Sequence, residues 1–160
     1  MKKNEKDTEE EKRIYLLVVD STDEFSVAVD YACDFAKRND ARIALLNVMQ
    51  LEHVDHWQNI ENKLKSEMRA EAENMIWAAS KQVHARTGQF PMVCIEEGVR
   101  SDIIIDIIAQ NPNICTLILA ADKNSSKPGP LVTYFSSGKG LARLDVPLMI
   151  VPGHLQEGIY

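Results

Sequence analysis

An α/β domain built on a doubly wound parallel sheet is the fold class that the sequence predicts, on three observations. Short apolar runs alternate with amphipathic stretches five times between Ile14 and Val151. The runs are continuous rather than alternating, as expected of strands covered on both faces. No linker divides the body, so residues 13–153 read as one domain, flanked by a charged tail at 1–12 and a short tail at 154–160.

Taken in order, Ile14 to Val19 is a six-residue apolar run that stops at Asp20, too short for a buried helix and right for a central strand. Ser21-Thr22-Asp23-Glu24 follows, with Ser21 and Glu24 spaced as a capping box for the next helix. That helix runs from about Glu24 to Asn39 and places Phe25, Ala28, Val29, Ala32, Phe35 and Ala36 on one face. Arg42 to Val48 is the second strand. A long helix from His56 to Thr87 carries an apolar stripe from Trp57 through Ile60, Leu64, Met68, Ala72, Ile76 and Val83, and Gly88 ends it. Such a length predicts either a separate first segment or an overhang beyond the sheet. Pro91 to Glu96 is the third strand, and Ser101 to Gln110 the third helix, with Ile103, Ile104, Ile107 and Ile108 inward. Thr116 to Ala120 is the fourth strand. The Gly-, Pro-, Ser- and Lys-containing segment after it is longer than a simple connector, a length usually associated with function or disorder. Leu148 to Val151, fenced by Pro147 and Pro152, is the last strand.

Composition narrows the function classes. The net charge is −6, and the first 12 residues hold four Lys and five acids, so the body carries most of the negative charge. That disfavours nucleic acid and anionic membrane surfaces as partners. No apolar run approaches the roughly 18 residues of a membrane helix, and the lysine-led start passes into acids rather than a signal core, so a cytoplasmic location is expected. Cys33, Cys94 and Cys115 are odd in number and sit inside elements, which predicts packed, reduced thiols.

In an open parallel sheet the strand ends face the ligand crevice, which places Asp20 where binding or chemistry would occur. Val18-Val19-Asp20-Ser21-Thr22-Asp23-Glu24, the Glu97-Gly98-Val99-Arg100-Ser101-Asp102 turn and the Pro147 to Val151 strand, in that order and spacing, resemble the A-type universal stress protein family. The likeness spans about residues 13–153. It implies an adenine-nucleotide alpha-hydrolase-like sheet of strand order 3-2-1-4-5, which brings Asp20 and the 120–124 loop to one crevice. It also matches Val48 to a position that packs on adenine.

Nucleotide-binding members of that family present glycines after the fourth strand and a Gly-Ser or Gly-Thr step, where bare backbone and a helix start can approach phosphate. Counted without gaps, those positions are Ala121, Asn124, Tyr134 and Phe135, all departures from the pattern. A two-residue slide aligns Ser136 and Ser137, which keep hydroxyls but no glycine. Losing two or three phosphate bonds of about 1.5–3 kcal/mol each predicts that tight ATP binding is lost. Two readings remain for the loop. Gly129, Gly138 and Gly140 with Lys123, Lys127 and Lys139 either hold an anion in another geometry or only solubilise it. Asp20 is likewise either a ligand group or a local cap.

Catalytic constellations are thin. His53 and His56 flank a polar turn without the spacing of a metal site, no Gly-x-Ser-x-Gly elbow occurs, and the adjacent Glu96 and Glu97 point to opposite strand faces. The last strand lies at the sheet edge in the implied order, and relatives pair it across a two-fold axis, so Leu148, Met149, Ile150 and Val151 are the expected homodimer interface. The expectation is a non-catalytic, homodimeric stress-response protein with a degenerate nucleotide site and no cofactor, metal, nucleic acid or membrane partner. The alternatives are an ATP- or AMP-binding protein with a remodelled phosphate loop, and a nucleotide-dependent transferase on the same sheet. Any further protein partner is unspecified.

Overall fold

The structure, a computed structural model, describes residues 12–22, 24–51, 58–123 and 126–155. Residues 1–11 and 156–160 of the tails, and His53, His56, Trp57 and Asn124, lie outside them. Among the described residues, five strands and five helices follow one another in the order β1 (Ile14–Val18), α1 (Glu24–Arg38), β2 (Arg42–Met49), α2 (Gln58–Thr87), β3 (Met92–Glu97), α3 (Arg100–Gln110), β4 (Ile114–Ala121), α4 (Pro130–Ser136), α5 (Gly138–Leu141) and β5 (Leu148–Pro152). All neighbours pair in parallel, and the sheet order is β3-β2-β1-β4-β5.

Burial follows that order. The central strands β1, β2 and β4 are mostly apolar and buried because both their faces are covered, whereas β3 at one edge is largely exposed. Two cores result. On one face Tyr15, Leu17, Ile43, Leu45 and Ile118 meet Ala28, Val29 and Ala32 of α1 and Ile76, Ala79 and Val83 of α2. On the other, Leu16, Val18, Leu46 and Leu117 meet Ile104 and Ile108 of α3 and Val132 and Phe135 of α4.

Helices α1 and α2 are also pinned by polar contacts. Arg86 of α2 reaches Asp30 and Asp34 of α1, and the Gln82 amide donates to Ser26 O at 3.0 Å and to Asp30 at 2.7 Å.

α2 is one continuous helix, and it corrects the expected stripe. Ile60 and Leu64, read as inward, are 54% and 38% exposed. Thirty residues span about 45 Å, whereas the eight-residue strand beneath spans about 27 Å. The first turns therefore run past the sheet, and the apolar face closes on the core only from Ala72 onward. Gly88 ends the helix at φ 75°, and its N–H bonds His84 O.

All three cysteines are free, Cys33 buried and Cys94 and Cys115 half-buried. Burial pushes the Cys33 thiol up from 9.0 to about 12. A thiol whose folded pKa is raised stabilises the fold below the unfolded value and loses that contribution as pH rises from about 9 to about 12. Native protein should therefore lose urea resistance across this window more steeply than Cys33→Ala. Parallel pH profiles of the two would contradict the assignment.

Candidate functional site

The sheet order puts a switch point between β1 and β4, where the two halves of the chain diverge and a crevice opens beyond the carboxyl ends of the strands. A cavity of about 420 Å³ lies there. Val18 to Thr22 supply the end of β1, Asn47 to Met49 the end of β2, and Leu119, Ala120 and Asp122 the end of β4. Met68, Glu71 and Met75 close it from α2, Arg100 from the start of α3, and Pro128 to Val132 from the approach to α4 and its first turn.

Asp20, Ser21 and Val48 thus stand in the wall, as the sequence analysis places them. Asp20 acts as the local cap considered for it. Its Oδ1 accepts from the Thr22 N–H at 2.9 Å and from the Thr22 hydroxyl, which shapes the turn, while Oδ2 makes no hydrogen bond among the described residues. The expected capping box is replaced by this arrangement: Ser21 and Glu24 exchange no hydrogen bond among the described residues. Val48 is 5% exposed and divides its surface between the core and the cavity.

The remaining phosphate-loop residues fall elsewhere. Ala121 is buried, and its carbonyl oxygen packs beside Gly153 rather than in the cavity wall. Ser136 ends α4, with its hydroxyl on Val132 O at 2.6 Å. Ser137 caps α5, with its hydroxyl on Tyr134 O and its oxygen accepting from Gly140 N at 3.4 Å. Neither serine lines the cavity. Tyr134 joins a surface network in which Arg143 donates to its hydroxyl at 2.7 Å and to Asp102 at 2.9 Å. Phe135 is fully buried.

The loop that does face the cavity is poor in phosphate donors. Pro128 and Pro130 have no N–H, and the Asp122 N–H is already bonded to Pro128 O at 3.1 Å. Gly129 sits between the prolines at φ 110°, a conformation that L side chains rarely adopt. Around the cavity the ionisable side chains are Asp20, Glu71, Asp122 and Arg100, three carboxylates to one guanidinium. Among the described residues no histidine, cysteine or lysine lines it.

Asn47, Met68, Glu71, Met75 and Arg100 are among the lining residues that had no functional reading in the sequence. Only Asn47 carried a signal, as the single amide inside the second apolar strand.

A family model described as "Universal stress protein family" matches residues 12–152. No curated protein matches the chain. Among solved structures, universal stress protein UspA from Lactobacillus plantarum is 21% identical, with a TM-score of 0.73 over 87% of this chain and 97% of that one. A universal stress protein in complex with cAMP is 13% identical at a TM-score of 0.63, covering 89% and 98% of the two chains. The universal stress protein from Archaeoglobus fulgidus in complex with dAMP is 10% identical at 0.56, covering 87% and 96%. Likeness at these identities is a likeness of fold.

Proposed function

The chain belongs to the universal stress protein family, and from that premise we propose that it is a non-catalytic, homodimeric stress-response regulator whose crevice takes an adenine nucleoside carrying at most one phosphate. The observation that carries this reading is the charge and donor inventory of the cavity wall. Among the described residues three carboxylates and one guanidinium line the cavity, and in the loop following β4 Pro128 and Pro130 have no N–H while that of Asp122 is taken by Pro128 O. Each additional phosphate charge set about 4 Å from a carboxylate costs about 1 kcal/mol in water and more in a partly desolvated crevice. A neutral nucleoside escapes that cost, a monophosphate meets it once with Arg100 to offset it, and a triphosphate meets it repeatedly. The volume suits this class, at the lower end of the roughly 300–1,000 Å³ of small-molecule sites. The cAMP and dAMP complexes of two structural neighbours are both adenine monophosphates.

Among the described residues the wall offers no base or nucleophile beyond hydroxyls and carboxylates, which favours ligand sensing over turnover. Isothermal titration of the purified chain with adenosine, AMP, cAMP and ATP tests the reading. Adenosine or a monophosphate should bind, with ATP about tenfold weaker or worse. ATP binding tighter than AMP, or sustained ATP consumption by the chain, would overturn it.

Dimerisation through β5 is the second part of the proposal. Ile150 is 36% exposed on this edge strand, with Leu148 and Met149 half-buried beside it. Val151, read as an interface side chain, is a core residue at 2% exposure, so only its backbone is available for pairing. Ile150→Asp puts a charge into the two-fold contact, and light scattering should then report monomer. A persisting dimer would exclude strand-edge pairing.

A further inference from the structure

We propose that Asn47 reads the base: its side-chain amide presents a donor and an acceptor to the cavity and selects a 6-amino over a 6-oxo purine. The proposal rests on the nucleoside reading above and names the residue that confers its specificity.

Asn47 is 6% exposed, a polar side chain in a strand that after Arg42 is otherwise made of Ile, Ala, Leu, Val and Met. A buried amide in such a strand needs partners, because an unpaired polar group away from water is costly. One is present. Nδ2 donates to Val19 O at 3.2 Å, joining the end of β2 to the residue beyond β1. Because Val19 O can only accept, this bond fixes which end of the amide is nitrogen. The second Nδ2 hydrogen and Oδ1 make no other hydrogen bond among the described residues. No buried side-chain N or O among those residues is sealed away without a partner, and Asn47 stands in the cavity wall, so the unpartnered Oδ1 opens onto the cavity, with the second Nδ2 hydrogen in the same amide plane.

An amide with one free N–H beside a free carbonyl oxygen matches an edge that carries an acceptor beside a donor. The ring nitrogen N7 and exocyclic amine of a 6-aminopurine form such an edge, and Asn pairs with it in two bonds. A 6-oxopurine turns the same edge into two acceptors and leaves Oδ1 facing an oxygen. The remaining wall suits a flat ring: Met49, Met68 and Met75 offer polarisable thioethers, and Val18 and Leu119 add apolar surface.

The first test uses the native chain. Titration calorimetry with adenosine, inosine and N6,N6-dimethyladenosine should show adenosine about tenfold or more tighter than either analogue, the discrimination of one bidentate pair. The second uses Asn47→Leu, near-isosteric and apolar, with Asn47→Thr as a smaller replacement should the first variant fail to fold. The adenosine-to-inosine ratio should fall towards one in the variant, whereas a purely structural Asn47 would lower the melting temperature and leave the ratio intact. Equal affinity of the native chain for all three nucleosides, or an unchanged ratio in a folded variant, overturns the assignment of Asn47 while the nucleoside reading stands. No binding of any nucleoside or monophosphate to the native chain overturns both.

Discussion

Phe135→Ala is expected to lower stability by about 3–5 kcal/mol, the range for removing a buried aromatic ring. Phe135 is 0% exposed and the largest of the fully buried side chains. It sits in the core between the sheet, α3 and α4, edge-on to Tyr134 with ring centroids 5.1 Å apart. α4 has only seven residues, too few to stay helical on propensity, so this ring and Val132 are what hold it to the sheet. For a domain of this size, the loss should lower the melting temperature by about 10 °C or more. Phe135→Ser is a sharper version, because it restores the hydroxyl that nucleotide-binding relatives carry at the matched position. That hydroxyl would enter a sealed apolar core, so the variant should be less stable than Phe135→Ala and gain no ATP affinity. Urea titration measures the first effect. A loss below about 1 kcal/mol would mean that α4 is not docked as described.

The same residue marks where the site stopped being legible in the sequence. Continuous apolar runs ending in polar turns located β1, β2 and β4, since strands covered on both faces have no periodicity to mistake. Asp20 could be placed at the crevice because it directly follows a central strand. Counting along the loop after β4 did not carry that far. Residue spacing says how far a chain has travelled and not where it turns. The count placed Tyr134 and Phe135 at the phosphates, whereas Gly129 and its flanking prolines reach the cavity and Phe135 lies in the core. A different blindness affected α2. Helical periodicity identifies which face is apolar but not how much of its length has something to pack on. The stripe through Ile60 and Leu64 was therefore read as core, while Met68 and Met75, lower on the helix, form cavity wall. Asn47 stood out only as an interruption in an apolar run. Knowing that its strand end meets the crevice requires the sheet order.

Gly140→Ala should cost about 3 kcal/mol, although Gly140 has ordinary backbone angles and sits in a helical turn where alanine is intrinsically favoured. The cause is the crossing between α4 and α5. A Cβ built on Gly140 would lie 2.7 Å from the Tyr134 carbonyl carbon, closer still to its oxygen, and 2.9 Å from the Tyr134 ring. A clash with backbone cannot be relieved by a rotamer change. Nor is that carbonyl free to shift, since it accepts from the Ser137 N–H at 3.1 Å and from the Ser137 hydroxyl. Room for the methyl comes only by swinging α5 outward, which breaks the Ser137 cap and the Arg143 bonds to Tyr134 and Asp102. Gly138→Ala, two residues away in the same short helix, provides the control. A Cβ there meets nothing within 4 Å and the backbone is ordinary, so the substitution should be neutral or gain about 0.5 kcal/mol by restricting the unfolded chain. Chemical denaturation of the two variants side by side isolates the steric contribution. If Gly140→Ala matches Gly138→Ala, the close approach of α5 to Tyr134, and with it the seat of α4 over the Phe135 core, is not what holds this end of the sheet.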